Sequence, residues 1–492
     1  MNVLAAAMLA ILTVAPPAEF GTDWDNPRTA APPIVQPSGP RCTTTIVDTQ
    51  FRDFTPYVSN YVPTCRGSKV VLRMDGAVKG RQYDRLGYLK IGGVTVFKTS
   101  TPEPSPDGIE WSVEKDLSEY SSLLTRPEPI EMLIGNVVDG TYTGVLDIHV
   151  TLTFSGAKAA TKPDVLPITQ AIPRNTERLV ADVYATGSGG GCEEFWYLTT
   201  PTGVPYSCPA DHGPYREVQI RIDGVLAGIA APYPHIYTGG WSNPFLWYVL
   251  PAPRAFDVTP IRFDLTPFVG RLTDGKPHAI DVSVVGVPAG QTGWDTPTTL
   301  LAWRDPRRTQ VTGALRTSNQ SPLRNDPAYA DHVLTTTGGH QFAATGYLDT
   351  SHGRVTTTVT RTLGNTSTHR WNEGETSDSL QAVWTDRSSV TVRAGRAGPS
   401  VSTTLYRYGL TGSIEIDGAD RLTSTMSLSD AATTSRSWSL DTWQGTASWT
   451  LNVPREDRQA TGTSTERYRL VEPGRRYDHT IATVNGMVVT DH

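Results

Sequence analysis

The stretch VLDIHVTLTF, residues 145–154, constrains the fold more than any other. Leu146, Ile148, Val150, Leu152 and Phe154 fall on one face of an extended backbone, and Asp147, His149, Thr151 and Thr153 on the other. A repeat of two marks a half-buried antiparallel strand; on a helix the same apolar residues would spread around the axis. KVVLRM (69–74), YLKIGGVTVF (88–97), ERLVADVYAT (177–186) and AIDVSVVGV (279–287) share the β-branched content, with Asp-Gly and Gly-Gly turns between strands. EVQIRIDGVLAGI (217–229) puts Val218, Ile220 and Ile222 on one face and Glu217, Gln219, Arg221 and Asp223 on the other. Beyond residue 300 the chain turns Thr- and Ser-rich, as in GRVTTTVTRTL (353–363) and STTLYRYGLTGSIEIDG (402–418).

No long helix is expected after the N-terminal segment. Short strands separated by Gly, Pro and Asp turns predict an all-β chain: two antiparallel jelly-roll-like β-sandwiches followed by a C-terminal β-rich domain. The expected boundaries are an extended N-terminal segment at 19–40, a first sandwich at 41–156 and a second at 177–300. The third region covers 301–492. Residues 157–176 lose the alternation and read as an interdomain linker.

The first residues, MNVLAAAMLAILTVAPPAEFG, carry an apolar run from Val3 to Ala15 followed by prolines. It is short for a bilayer span and reads as a secretory signal peptide over residues 1–18, which predicts a secreted, extracellular protein with no membrane contact after its removal. The chain has only four cysteines, Cys42, Cys65, Cys192 and Cys208, in two local pairs. In an oxidising compartment, disulfides Cys42–Cys65 and Cys192–Cys208 are the economical pairing, although the two other connectivities remain open to the sequence. Metal-ligand spacings are absent, so no metal is expected. A net charge of −6 without a basic tract excludes a nucleic-acid partner.

Chemistry concentrates in a few turns. GRQYDRLGYLKIGG (80–93) sets Asp84 between Tyr83 and Arg85, just ahead of a strand. GSGGGCEEFWY (187–197) lacks the following helix that a phosphate-binding loop needs; it reads as a loop stapled at Cys192 that runs into a strand. In extended backbone Glu193 and Glu194 face opposite ways, so one can enter a site while the other meets solvent. Glu103 and Glu110 are further acid candidates. Trp111, Trp196, Trp241 and Trp247 lie in Gly- and Pro-rich contexts, with Arg216 nearby in YREV. Each Trp taken singly is more often core, but aromatic faces beside carboxylates also hold sugars. Serine-hydrolase chemistry is unsupported: there is no G-x-S-x-G, and His149, His212, His235 and His278 have no evident nucleophile.

These same residues carry a resemblance. Residues 80–124, together with CEEFWY, YREVQIRIDGVLAG and PHIYTGGWSNPFLW, resemble two blocks of the peptide-N4-(N-acetyl-β-glucosaminyl)asparagine amidase A family. The likeness covers roughly residues 40–290. A more distant likeness is to bacterial peptide-N-glycosidases of the F type, built from two jelly-roll sandwiches with the active site where they meet. Their essential aspartate lies in a Trp-Asp-Arg segment, similar to Tyr83-Asp84-Arg85, and an active-site glutamate lies in Gly-Cys-Ala-Glu-Trp, similar to residues 191–195. The resemblance implies catalytic roles for Asp84 and Glu194. Around these two, the candidate substrate contacts are Arg85 and Arg216 as orienting groups, Trp196, Trp241 and Trp247 as sugar platforms with Trp111 in a similar context, and Glu103 and Glu110 as secondary acids. A third acid position falls near residues 134–140, where this chain offers Asn136 or Asp139. The implied reaction cleaves the GlcNAc–asparagine amide of an N-glycopeptide or N-glycoprotein and needs no cofactor. The alternatives are a glycoside hydrolase acting within the glycan and a non-catalytic glycan-binding protein.

Overall fold

The computed structural model describes residues 24–157, 162–188, 192–236, 248–290, 293–395, 398–454 and 457–492. Trp241, Trp247 and the signal segment lie outside them. The regular structure of the described residues is almost wholly antiparallel strand.

The first sandwich contains β1 (Arg41–Phe51), β2 (Tyr57–Tyr61), β3 (Lys69–Val78), β4 (Leu86–Ile91), β5 (Val94–Ser100), β6 (Ile109–Asp116), β7 (Glu128–Ile134) and β8 (Leu146–Ser155). Two four-stranded sheets face each other, ordered β1-β8-β3-β6 and β2-β7-β4-β5. In β8 the apolar set Leu146, Ile148, Val150, Leu152 and Phe154 is buried, as the period of two requires. Strand β5 departs from alternation: all seven of its residues are buried. One face packs in its own sandwich and the other meets the second sandwich, so no face is left for water. A disulfide joins Cys42 to Cys65.

The second unit holds β9 (Asp164–Pro167), β10 (Thr176–Val183), β11 (Thr186–Gly187), β12 (Glu217–Ile222), β13 (Val225–Ala230), β14 (Ile261–Asp264), β15 (Ile280–Val285), β16 (Trp294–Asp295) and β17 (Thr298–Arg304). Its sheets run β14-β10-β17-β9 and β13-β12-β15, with the small pair β11-β16 beside them. Strand β9 corrects the linker expected at 157–176. It is an edge strand hydrogen-bonded to β17, with Val165 and Leu166 buried. Four residues are too few to show an alternation, so pairing rather than pattern creates this strand.

The third region is a single eleven-stranded sheet: β18 (Thr312–Gln320), β19 (Arg324–Ala330), β20 (Val333–Thr350), β21 (Gly353–Trp371), β22 (Ser377–Ala394), β23 (Ser400–Ile416), β24 (Arg421–Thr434), β25 (Trp438–Thr450), β26 (Thr461–Glu472), β27 (Arg475–Val484) and β28 (Met487–Asp491). From β20 to β28 neighbours in sequence pair as a meander, and β18 and β19 both pair with β20 along the same edge. Alternation holds along the long strands: in β21, Val359, Leu363 and Trp371 are buried while Thr360, Thr362 and Arg370 are exposed. The buried face lies against loops of the second unit and the N-terminal strap. Trp443 donates to Leu250 O at 3.1 Å, and Tyr206 OH donates to Asp378 at 2.7 Å. In the strap, Ala30 N donates to Glu466 at 2.9 Å and Asp25 N to Gly486 O at 3.0 Å. On the polar face of β12, Glu217 and Gln219 are likewise buried: Glu217 accepts from His340 of β20 and from Tyr215.

Candidate active site

Asp84 sits in the short approach to β4, and the segment around it is fastened on several sides. Arg81 N donates to Thr143 Oγ1 at 3.2 Å, and Gly144 N to Arg81 O at 2.9 Å. The buried Gln82 amide donates to Val137 O and Gly144 O at 2.9 and 3.1 Å. Beyond Asp84, Arg85 N donates to Thr101 Oγ1 and Thr101 N to Arg85 O, both at 2.9 Å. A rotating surface loop would blur an acid's position; these ties hold a half-buried carboxylate in place.

The neighbours of Asp84 are aromatic and cationic. Tyr83 lies 5.0 Å from Tyr142, ring centre to centre, and the Arg81 guanidinium lies 5.6 Å from the Tyr142 ring. Burial and the hydrogen bond to Tyr142 hold the Tyr83 hydroxyl far above its usual range, so it remains a proton donor. Burial lowers Arg85, while Asp84, Tyr142, Tyr83 and Glu103 favour its charge. Its Nη2 donates to Gln82 Oε1 at 2.5 Å. Glu103 is 3% exposed and acts electrostatically on Tyr83, Arg85 and Tyr248. The Tyr248 ring is stacked on Trp24 of the N-terminal strap at 4.4 Å. From the connection between β25 and β26, buried Arg458 reaches this group: burial lowers it, as does the charge of Arg81, while Tyr248 and Tyr83 favour its charge. The sequence marks 19–40 as an extended segment but does not bring it or Arg458 to the Asp84 group, because nothing local marks a residue that meets its partners only after folding.

Glu194 lies on the second unit. Residues 193–198 form a 3-10 turn rather than the expected strand, so the two glutamates are not separated by strand alternation. They are separated by burial. Glu193 is 1% exposed and grips Arg216, with Nε to Oε2 at 2.9 Å and Nη2 to Oε1 at 2.6 Å; Trp294 Nε1 adds a bond at 2.5 Å. Glu194 is half-buried. The turn is clamped by Cys192–Cys208 and by Gly187, where a Cβ would stand 2.3 Å from Glu193 O. Glycine is required there by close backbone approach.

The other sequence candidates divide. Arg216 is buried and committed to Glu193 and to the carbonyls of Gly213 and Tyr215, so it supports the turn instead of facing substrate. Trp111 is core, its ring packed against Gly76, and Trp196 is core against Trp294 and Trp384. Neither offers an open face for a sugar to stack on. Glu110 is exposed on β6, where its backbone binds Asn26 of the strap. Near residues 134–140, Asn136 is buried and donates to Phe51 O and Gly144 O, while exposed Asp139 accepts from the amides of Thr141 and Tyr142. Both organise backbone. The buried acid in the Asp84 group is Glu103.

Glu177, Asp305 and His352 bring ligand atoms within 4.8 Å of one another, far along the chain from this group. Asp305 there is already bonded to Ser351 and to Arg307 N.

The family model for peptide N-acetyl-beta-D-glucosaminyl asparaginase amidase A matches residues 31–171 and 155–321, and the chain belongs to that family. The peptide-N4-(N-acetyl-beta-glucosaminyl)asparagine amidase A of Prunus dulcis is 29% identical over 386 residues, 66% of this chain. The aligned part spans 66%, just under two thirds, of that relative's length. Among solved structures, recombinant peptide:N-glycanase F aligns over 54% of this chain and 96% of its own, with 10% identity and a TM-score of 0.37. The glycosylasparaginase PNGase F from Flavobacterium meningosepticum aligns over the same shares with 11% identity and a TM-score of 0.38.

Proposed function

We propose that this protein is a secreted amidase that hydrolyses the bond between the innermost GlcNAc of an N-glycan and its asparagine, on glycopeptides or glycoproteins. The observation that carries the reading is that the family model matches both β units, in two overlapping segments of which the first includes Asp84 and the second Glu194. Water adds to the amide carbonyl, the C–N bond breaks, asparagine becomes aspartate, and the glycan leaves as a glycosylamine that a second water later hydrolyses to the free sugar and ammonia. An amide is a poor electrophile, so the site must orient water, stabilise the oxyanion and protonate the leaving nitrogen. Asp84 is the acid/base group, Glu194 positions the water, and Arg85 polarises the carbonyl. Glu103 sets the local field. Trp241 and Trp247 keep their proposed role as sugar platforms. Two disulfides and the apolar start of the chain support secretion. No described helix is long and apolar enough to cross a membrane.

The test is incubation with a defined N-glycopeptide and mass analysis of both products. Peptide carrying Asp, with the full glycan released, is the expected outcome. Peptide retaining one GlcNAc identifies a glycoside hydrolase instead, and binding without release identifies a glycan-binding protein. Asp84→Asn is expected to lower turnover by about 10²- to 10⁴-fold. Activity near wild type would sink the assignment.

A further inference from the structure

Lys98 is a buried ammonium that the chemistry above leaves unused. It lies on β5, opposite Tyr88 of β4, and three residues before Thr101, which fastens Arg85 beside Asp84. Its Nζ crosses to the second unit, donating to Thr186 Oγ1 at 2.7 Å and Asp295 Oδ2 at 2.8 Å. Thr186 and Asp295 are themselves paired in the β11-β16 ladder, and the next pair in that ladder is Gly187 with Trp294. Trp294 holds Glu193 through its indole N–H, and Gly187 packs against the Glu193 carbonyl. Glu194 is the next residue. An unbroken line of short contacts therefore runs from the strand that anchors Asp84 to the turn that carries Glu194.

We propose that Lys98 is a positioning residue that fixes the placement of Glu194 relative to Asp84 across the seam between the two β units. The inference rests on the assignment of those two acids. An ammonium held at 4% exposure is costly unless paired, and here its partners are two neighbouring groups of the same small ladder. A single tie to one long loop would allow rotation; ties to both strands of the ladder do not. A second seam-crossing ion pair, Lys115 with Asp257 at 2.5 Å, is similarly buried on its lysine side and touches neither acid-bearing segment. It is the natural control.

Lys98→Met and Lys115→Met would be compared in the full-length protein. Lys98→Met is expected to lower kcat by about 10²-fold with KM changed less than about threefold, since a displacement near 1 Å has that effect. Lys115→Met is expected to keep kcat within about twofold while losing at least as much thermal stability. Amide hydrogen exchange at residues 192–198 is expected to quicken in Lys98→Met alone, a readout independent of turnover. Should Lys98→Met not fold, Asp295→Asn, altering an exposed carboxylate, is expected to give a smaller change of the same kind. Equal kcat losses in the two lysine variants, or unchanged exchange at 192–198, would overturn the inference. A wild-type protein that releases no glycan would overturn the proposed function instead, and the exchange experiment would still judge Lys98.

Discussion

The seam between the two β units and the inner face of the large sheet are both buried and both charged, yet they neutralise charge differently. At the seam each cation meets an acid: Lys98 with Asp295, Lys115 with Asp257, Arg262 with Asp182. On the sheet, Asp430 and Asp441 stand directly opposite each other on β24 and β25, and Glu466 is two residues from Tyr468, which pairs with Asp441. Arg254, from a loop of the second unit, pairs with Asp430, and elsewhere on the face Arg361 grips Asp386 through Nε and Nη2, both at 2.6 Å. Arg254 Nε and Nη2 bind Asp430 at 2.5 and 2.9 Å, and the Arg254 guanidinium lies 4.4 Å from the Tyr233 ring. Burial and the charge of Asp430 push Asp441 up to about 8, against a smaller pull from Arg254. Burial and Asp441 raise Glu466 well above its usual range, with the bond from Ala30 N opposing. The seam is balanced by pairing; the sheet face has its pairs too, but it also carries Asp441 and Glu466, which burial and mutual repulsion push towards the protonated form, so its stability should respond to mild alkali.

Arg254→Met is the severest way to break this contrast. It leaves Asp430 buried without its cation and is expected to cost about 3–5 kcal/mol in chemical denaturation. A loss under about 1 kcal/mol would mean that the sheet does not depend on the pair. Asp441→Asn tests protonation directly. A carboxyl whose folded pKa is raised holds a proton that the unfolded chain has already lost, so stability falls as pH climbs from the ordinary aspartate range to about 8. Wild-type Tm is therefore expected to drop between about pH 5 and pH 9, and Asp441→Asn to flatten that slope; parallel curves would reject the account. The smallest effect is expected from Glu194→Gln. The residue is half-buried, so stability should stay within about 0.5 kcal/mol while glycan release falls. A large loss of stability would place Glu194 among the structural acids with Glu193.

Much of the fold was legible because strand periodicity is local. The alternation in residues 145–154 emerges in β8 with every apolar residue inside, and the local cysteine pairs close as disulfides. β9 was missed because its four residues show no period, and the burial of Glu217 and Gln219 because their polar face meets His340 of a distant strand. At the site, the family blocks pointed to Asp84 and Glu194. They also pointed to Trp111, Trp196 and Arg216, whose packing against Gly76, Trp384 and Glu193 no motif displays.

The amino-acid order alone determined the period-two segments, the turns between them, the all-β class and the family blocks, since each depends on residues near one another in the chain. The tertiary structure alone decided which of two adjacent glutamates is locked to an arginine and which is left half-buried. It also decided that Arg458 and Trp24 come to the Asp84 group and that Lys98 spans the seam. Those outcomes depend on burial and on partners brought together across hundreds of residues, and a carboxylate or an ammonium has no fixed role until its partner and its share of water are set.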